Sequence, residues 1–214
     1  SSAKVFAARA KASWGDVRSV GAKTSHGSES TGVIPFLKVV DAEMLAFSQG
    51  VTRRGSYAAY LPIDHPEIEE FLDVRKPTGG DINRKSINLH HAVIISDKFM
   101  QLIANATTIE GFDDSWNLVD PHSGDIKKTV AAKALWVKLI QNRVETGEPY
   151  IMFEDTVNEA IPEYQKLLGL KVNQSNLCSE ITLPTGKDRD GKERTAVCFL
   201  SSLNIEKYDE WKDD

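Results

Sequence analysis

Apolar residues along the chain follow two patterns, short continuous runs and longer stretches at helical spacing. The runs within Ser56–Ile63, Leu89–Ile95 and Tyr150–Glu154 predict buried strands. Spacing of three to four residues predicts amphipathic helices. The predicted helices cover Ser1–Ala12, Thr31–Ser48, a segment after Pro66, a segment after Ser96, Val130–Glu145 and Ala160–Leu170. Strands that alternate with amphipathic helices are typical of an α/β fold.

Turn-forming residues predict two added β-hairpins. Ser115–Val119 and Ile126–Val130 flank a turn rich in Asp, Pro and Gly. The second predicted hairpin pairs Leu177–Leu183 with Ala196–Leu203 across a polar loop that contains Asp190-Gly191. Two further segments rich in small and basic residues are predicted loops: Ser19–Thr31 and Gln49–Gly55.

Composition and charge narrow the class of function. The 214 residues are 41% hydrophobic and 27% charged, as expected of a globular chain with a sizeable core. A net charge of -5 argues against binding to a nucleic-acid polymer, which depends on neutralising phosphates with Lys and Arg. No apolar run approaches the roughly 20 residues that span a bilayer, and no signal-peptide pattern opens the sequence. We therefore predict a cytoplasmic protein without a membrane partner.

The two cysteines, Cys178 and Cys198, are too few for a disulfide scaffold. They lie at equal distances from the centre of the last polar loop, so a hairpin would place them on neighbouring strands. Cross-strand partners have Cβ atoms about 4.5–5.5 Å apart. The spacing therefore predicts two thiols close enough for joint redox chemistry. The alternative is that both are buried as small apolar residues, which is common for free cysteines.

The residues around Cys178 favour chemistry over packing. Asn176, Cys178 and Glu180 occupy alternate positions, which share one face of a strand. A neighbouring carboxylate raises the pKa of a thiol, so this cysteine is a poor thiolate nucleophile. The pattern instead favours a neutral thiol that exchanges a hydrogen atom, with Glu180 as a base and Asn176 as the orienting group.

At these residues the sequence resembles a known family. Ser175–Ile181 closely resembles the finger-loop motif of the large subunit of class I ribonucleotide reductase. The resemblance extends over essentially the whole chain. Other similar segments are Asp16–Gly21 and Gly32–Phe36 (the first effector loop and the next helix), Ser48–Gly55 (the second loop), His65–Phe71 and Ala196–Asn204.

The resemblance implies a fold: part of a ten-stranded α/β barrel, with added β-hairpins. Residues 1–214 would form a partial catalytic barrel domain. Within it, residues 1–63 would be the effector-loop region, and residues 171–204 would hold the finger loop with its radical cysteine and the following strand. The polar, helix-like start and end of the chain indicate an internal fragment of that subunit.

The resemblance also implies residue roles in reducing ribonucleoside diphosphates. Cys178 would become a thiyl radical and take the 3′ hydrogen of the ribose. Glu180 would act as base toward the 3′ hydroxyl, and Asn176 would bind the sugar hydroxyls. Cys198 would be one of two thiols that reduce the ribose. The implied effector and substrate loops contain Gln49, Arg53, Arg54, Asp16 and Arg18. The alternative is that Arg53 and Arg54 are solvated loop charges and that Asp16 and Arg18 cap loops.

Cofactors and partners follow from the same resemblance. The chain itself would bind no cofactor, and a metal cofactor in a separate small subunit would supply the radical. Thioredoxin or glutaredoxin would supply the dithiol reductant. The other implied partners are the remaining fragments of the catalytic subunit, the ribonucleoside diphosphate and dNTP or ATP effectors. His90 and His91 are not predicted metal ligands, because adjacent strand residues point to opposite faces.

The sequence departs from the family at two points. It contains no third cysteine to pair with Cys198, and Ala7–Ala12 stands where the family has a glycine-rich stretch. An alternative hypothesis is therefore a non-catalytic or degenerate fragment that acts as a nucleotide-binding or assembly scaffold. The intact Asn176–Glu180 motif favours the catalytic interpretation.

Overall fold

The computed structural model describes residues 10–49, 53–199 and 201–213. A four-stranded parallel sheet forms its centre. Its strands, in spatial order, are β1 (Ala10–Ser13), β4 (Tyr57–Pro62), β5 (His90–Ile95) and β8 (Tyr150–Phe153). Each successive strand is reached by a crossover that contains helix, so the predicted α/β class is confirmed, as an open sheet that forms part of a barrel.

The remaining elements surround this sheet. The helices are α1 (Ile34–Ala46), α2 (Ile68–Leu72), α3 (Asp97–Thr108), α4 (Ala132–Thr146), α5 (Glu154–Ala160), α6 (Glu163–Leu167) and α7 (Tyr208–Trp211), with short 3-10 turns at Ile82–Arg84 and Ile205–Lys207. The antiparallel hairpins are β2 (Ser48–Gln49) with β3 (Arg53–Arg54), β6 (Ser115–Val119) with β7 (Ile126–Ala131), and β9 (Gly186–Lys187) with β10 (Glu193–Arg194). Among the described helices none is long and apolar enough to cross a membrane.

One face of the sheet, here called the outer face, packs against helices and forms the main core. It presents large side chains such as Leu61, Val93 and Ile95, all fully buried. Leu37 of α1 and Leu139 of α4 cover them. Because side chains alternate along a strand, the continuous apolar runs in β4 and β5 must also supply a second buried face.

The opposite, inner face carries a smaller cluster. Its buried residues are Ala58, Tyr60, Ala92, Ile94 and Met152. Two of the five are alanines, so the backbone of a neighbouring segment can approach the sheet closely. The partly buried residues that pack on this cluster are Tyr150, Val157 and Leu177. The inner face is therefore where the segment that contains Cys178 meets the sheet.

Helix α1 begins on a buried carboxylate from a distant part of the chain. Val33, at the N-cap, has no capping side chain of its own. Instead its backbone N–H donates to both carboxylate oxygens of Glu67, at 3.1 and 2.9 Å. Burial raises the pKa of Glu67 above its ordinary value, because its effect outweighs the opposing effect of these backbone hydrogen bonds. Gly32 permits the contact, because its φ of +80° and its missing side chain leave room for the carboxylate.

Most predicted elements are confirmed. The strands at residues 56–63, 89–95 and 150–154 form, as does the hairpin at residues 115–130. The helices predicted at Thr31–Ser48 and Val130–Glu145 form as α1 and α4. Gly147 ends α4 in the left-handed conformation, with a φ of +77°.

One predicted helix is wrong and another is shorter than predicted. Ala10–Ala12, the described part of the predicted N-terminal helix, lies in β1 and pairs in parallel with Tyr57–Ala59; residues 1–9 of that prediction lie outside the described residues. The helix predicted at Ala160–Leu170 forms as the shorter α6, because α5 ends at Ala160 and α6 begins only after Pro162. The proline has no N–H to continue the first helix.

Gly32→Ala is expected to destabilise the fold strongly, because its Cβ would lie 2.3 Å from Oε1 of Glu67 and would displace that carboxylate from α1. Gly27→Ala is the matched control, with a similar φ of +78° but nothing within 4 Å of the new Cβ. We expect a loss of about 1 kcal/mol for the control and at least about 2 kcal/mol more for Gly32→Ala. Urea unfolding measures both, and equal losses would contradict the proposed contact.

Candidate active site

Cys178 lies in a tight turn rather than on a strand, so the strand predicted at Leu177–Leu183 is wrong. The backbone N–H of Ser179 donates to the carbonyl oxygen of Asn176 at 3.2 Å, which closes the four-residue turn Asn176–Ser179, here called the thiol turn. Ser179 has a φ of +67°, unusual for a residue other than glycine. Cys178 is the third residue of the thiol turn and is exposed.

The side chain of Asn176 helps to hold this turn. Its Oδ1 accepts hydrogen bonds from the backbone N–H groups of Glu180 at 3.0 Å and Ile181 at 3.1 Å. Asparagine favours turns because its short amide can replace a backbone partner in this way. The three motif residues are thus brought together by a turn, not by a shared strand face. With Oδ1 engaged, the amide nitrogen of Asn176 is the group free to donate to a ligand.

Two further contacts hold the thiol turn: one attaches it to the sheet, and the other joins the segments on its two sides. The hydroxyl of Tyr60, a buried residue of β4, donates to the carbonyl oxygen of Asn176 at 2.7 Å. Ser175, also fully buried, donates through Oγ to the carbonyl oxygen of Ile181 at 2.7 Å. Burial raises the pKa of Tyr60, so its hydroxyl stays protonated and able to donate at neutral pH.

A buried carboxylate lies at the amino-terminal edge of the same sheet. Oε1 of Glu148 is 2.6 Å from Nδ1 of His90, and Oε2 accepts from the backbone N–H of His91 at 3.2 Å. Burial alone would raise the pKa of Glu148, but hydrogen bonds from the two histidines outweigh it and lower that pKa to about 2. Burial lowers the pKa of His91, so this ring is neutral and the carboxylate is held by hydrogen bonds.

This carboxylate connects to the surroundings of the thiol turn through two stacked rings. The ring of His90 stacks on that of Tyr150, with centroids 5.9 Å apart and an interplanar angle of 6°. Burial raises the pKa of Tyr150, and negative charge on Glu148 or Cys178 raises it further. Glu148, His90 and Tyr150 therefore form a polar border beside the thiol turn.

Sequence reasoning missed the residues that support the site. Tyr60 and Tyr150 are inner-face residues of strands whose apolar runs were correctly predicted. The local signal is a tyrosine after two alanines for Tyr60, and Tyr150 follows Pro149 without such a signal. Glu148 lies just after a helix-ending glycine, where a charged residue is usually solvated. Pairing with His90 depends on the β5–β8 register, which the sequence alone does not show.

Cys198 lies in the irregular, exposed segment that follows β10. The observed β9–β10 ladder pairs Lys187 with Glu193 and Gly186 with Arg194. If the ladder continued in this register, Thr182 and not Cys178 would lie opposite Cys198. Pro184 lacks an N–H to extend the ladder. The predicted strand at Ala196–Leu203 and the predicted pairing of the two cysteines across neighbouring strands are therefore wrong.

The predicted effector-loop residues lie in two separate places. The carbonyl oxygen of Asp16 accepts from Nε2 of His122 at 2.8 Å, and that of Arg18 accepts from Oγ of Ser30 at 3.1 Å. These contacts use backbone atoms and leave the side-chain roles of both residues as predictions. Gln49 pairs with Arg53 in the β2–β3 hairpin, where Arg54 also lies. The side chains of those three residues lie outside the described structure.

A buried aspartate holds the first of these loops against the β6–β7 hairpin. Oδ2 of Asp120 accepts from the backbone N–H of Ser19 at 2.9 Å and from its Oγ at 2.6 Å. Oδ1 accepts from the backbone N–H groups of His122 and Ser123 at 3.0 and 2.9 Å. Burial opposes ionisation, but these hydrogen bonds outweigh it and hold the pKa of Asp120 well below its ordinary value.

A cleft of about 460 Å³ lies at the carboxyl-terminal edge of the sheet. Asp16, Asp64 and Glu154 are among its lining residues. Burial raises the pKa of both Asp64 and Glu154. Ligands of open parallel sheets often bind at this edge, but Cys178 does not line this cleft. Within the described residues, no group of three or more His, Cys, Asp and Glu side chains is arranged as a metal site.

The fold and the candidate site thus combine a parallel α/β sheet with a thiol-bearing turn packed on its inner face. The sequence profile described as "Ribonucleotide reductase, barrel domain" matches residues 11–214. The chain therefore belongs to the ribonucleotide reductase large-subunit family.

Individual relatives agree with this assignment. The chain is 50% identical, over 94% of its length, to a Frog virus 3 (isolate Goorha) protein named as a ribonucleoside-diphosphate reductase large subunit. It is 42% identical, over 86% of its length, to the large subunit of Invertebrate iridescent virus 3. It spans 32% and 36% of these two relatives. The class Id ribonucleotide reductase alpha subunit of Actinobacillus ureae superposes with a TM-score of 0.64 at 30% identity, covering 95% of this chain and 31% of that one.

Glu148→Gln tests the buried carboxylate. Because the folded pKa of about 2 lies below the ordinary 4.5, ionised Glu148 stabilises the fold at neutral pH, and this contribution is lost as the pH falls from 4.5 towards 2. We expect the variant to lose about 2 kcal/mol of unfolding free energy at pH 7. Urea unfolding at several pH values should show the difference between parent and variant shrinking on acidification.

Glu145→Gln is the control for this experiment. Its side chain is 60% exposed and pairs only with Lys76, at 3.1 Å, among the described ion pairs. Exposed ion pairs contribute little, so the unfolding free energy should change by less than about 1 kcal/mol. A loss at Glu145 as large as that at Glu148 would contradict a special role for the buried carboxylate.

Proposed function

We propose that this chain carries the radical cysteine of a ribonucleotide reductase catalytic subunit, which reduces ribonucleoside diphosphates to deoxyribonucleoside diphosphates. The supporting observation is the thiol turn, which is held by hydrogen bonds on both sides of Cys178 and leaves that residue exposed. Family membership adds the reaction class. The activity belongs to the whole subunit, of which the chain matches about a third in its relatives.

In the proposed reaction, the sulfur radical of Cys178 takes the hydrogen atom from C3′ of the ribose. The C3′–H bond breaks, an S–H bond forms and the unpaired electron moves to the sugar. Glu180 accepts the proton of the 3′ hydroxyl, which requires an ionised carboxylate within hydrogen-bond reach. The amide nitrogen of Asn176 donates to a sugar hydroxyl, since its oxygen is engaged in the turn.

Reduction of the ribose then needs two electrons from a pair of thiols. Cys198 supplies one thiol in this proposal, and a cysteine outside this chain supplies the other, because Cys178 and Cys198 are its only cysteines. The C2′–O bond breaks, the 2′ hydroxyl leaves as water and a hydrogen replaces it at C2′, while the two thiols become a disulfide. Cys178 then returns a hydrogen atom to C3′, which restores its sulfur radical. A dithiol protein such as thioredoxin or glutaredoxin reduces the disulfide. A separate small subunit with a metal cofactor generates the radical, and dNTP or ATP effectors act through the loops at Asp16–Arg18 and Gln49–Arg54.

The alternative remains a non-catalytic scaffold that binds nucleotide or assembles with other chains. The observation in its favour is the exposed, irregular segment around Cys198, which the described structure does not pair with the segment around Cys178. Cytoplasmic localisation is proposed for either function.

Cys178→Ser is expected to abolish deoxyribonucleotide formation in the complete holoenzyme and to leave its assembly intact. A hydroxyl is close in size to a thiol, but the stronger O–H bond prevents transfer of the radical. Glu180→Gln should also impair turnover, because the amide cannot accept the proton. Lys187→Ala, at an exposed hairpin tip, is the control and should retain parental activity. Turnover by Cys178→Ser at the parental rate would exclude Cys178 as the radical site.

The isolated chain is expected to associate with complementary chains or with itself. Val197, Phe199 and Ile205 are 77%, 95% and 80% exposed, and the described sheet is open. Exposed apolar patches and open strand edges recruit other chains. Light scattering should show association that decreases when the remaining segments of the subunit are added. A chain that stays monomeric in the absence of those segments would contradict this prediction.

A further inference from the structure

We propose that Tyr60 is a positioning residue for the thiol of Cys178, and that its hydroxyl acts together with Ser175 to fix the thiol turn on the sheet. This inference deepens the proposed function and rests on it for the catalytic consequence. The anchoring contact itself is a property of the structure and can be tested without turnover.

The hydroxyl of Tyr60 lies at the base of the thiol turn. It donates to the carbonyl oxygen of Asn176 at 2.7 Å, and the same oxygen accepts from the N–H of Ser179 at 3.2 Å. Ser175 and Ser179 also lie close enough for hydrogen bonding to lower the pKa of Tyr60 and offset part of the rise caused by burial. One phenol therefore contacts the first residue of the turn and lies beside the serines that flank Asn176–Cys178.

Tyr60 is itself held rigidly. It pairs with Ser13 of β1 on one side and with Ala92 of β5 on the other, in the interior of the sheet. Its carbonyl oxygen accepts from the N–H of Trp14 at 2.8 Å, and its side chain is fully buried against Ala92 and Met152. A group mounted on a central strand is placed more accurately than one mounted on a loop.

Ser175 supplies a second support, which lies within the segment that forms the thiol turn. Its Oγ donates to the carbonyl oxygen of Ile181, so the two arms that enter and leave the thiol turn are joined below it. Ser179 keeps its unfavourable φ of +67° inside this frame. Unfavourable backbone conformations persist where surrounding contacts over-determine them. The thiol of Cys178 remains exposed above a backbone that is fixed from two sides.

Hydrogen-atom transfer requires the sulfur to lie at a set distance from C3′. A displacement of about 1 Å can lower a rate about 100-fold. Tyr60→Phe removes only the hydroxyl, so the aromatic packing remains while the turn loses its attachment. Tyr60 does not contact the substrate in this proposal, and we expect kcat to fall by about 10- to 100-fold with little change in KM.

The test uses the full catalytic subunit with its small subunit and a dithiol reductant. Tyr57→Phe is the matched control: it removes a hydroxyl from the same strand, but on the outer face, where that hydroxyl accepts from Nε1 of Trp14 at 3.1 Å. Ser175→Ala should reproduce the kcat loss, and Ser175→Thr, which retains a hydroxyl, should recover most of it. Thermal unfolding of each variant shows whether the fold persists.

A second measurement is independent of turnover. The rate of iodoacetamide alkylation at Cys178, followed by mass spectrometry, should change severalfold in Tyr60→Phe and in Ser175→Ala but not in Tyr57→Phe. If the parent subunit made no deoxyribonucleotide, the proposed function would fail while this measurement still tested the anchor. Equal kcat values and equal alkylation rates in Tyr60→Phe and Tyr57→Phe would overturn the proposal. Should Tyr60→Phe fail to fold, unaltered alkylation in Ser175→Ala would overturn it.

Discussion

Parallel pairing of β4 with β5 sets the positions of both the core and the candidate site. The register that sets Ala58 beside His90 and Tyr60 beside Ala92 decides which side chains face the helices and which face the thiol turn. Large aliphatic residues on the outer face bind the helices, and small residues on the inner face leave space for a backbone segment. A shift of one residue would exchange these two faces and remove both the core and the site.

Buried carboxylates connect the loops to this sheet. Glu67 binds the first turn of α1, Asp120 binds Ser19, and Glu148 binds His90 and His91. In each case a segment distant in sequence supplies the hydrogen-bond donors. Buried carboxylates are costly without such partners, so each one specifies a particular loop position. Two of these carboxylates hold segments next to residues that the resemblance assigns to the first effector loop. Asp120 holds Ser19, which follows Arg18, and Glu67 holds the start of α1.

The thiol turn is likewise held by side-chain hydrogen bonds, but the side chains are neutral. Phenol, hydroxyl and amide side chains satisfy its backbone, and none of them brings a charge next to Cys178. A thiol that exchanges hydrogen atoms has to remain neutral, whereas a nearby cation would favour the thiolate. Support of the turn by neutral side chains, with no cation among them, suits the proposed radical chemistry.

Local periodicity and residue types were sufficient to predict the α/β class, the strands β4, β5 and β8, the helices α1 and α4 and the motif around Cys178. Tertiary structure decided that Ala10–Ser13 forms a strand, since its parallel partner lies more than forty residues away. It also decided that Asn176–Ser179 forms a turn and that Cys198 lies on no strand. Polar residues at alternate positions are compatible both with a strand and with a turn that side chains hold in place. The hydroxyl of Tyr60, which comes from a strand more than one hundred residues earlier in the chain, contributes to the choice of the turn. The local β9–β10 ladder ends before it reaches either cysteine.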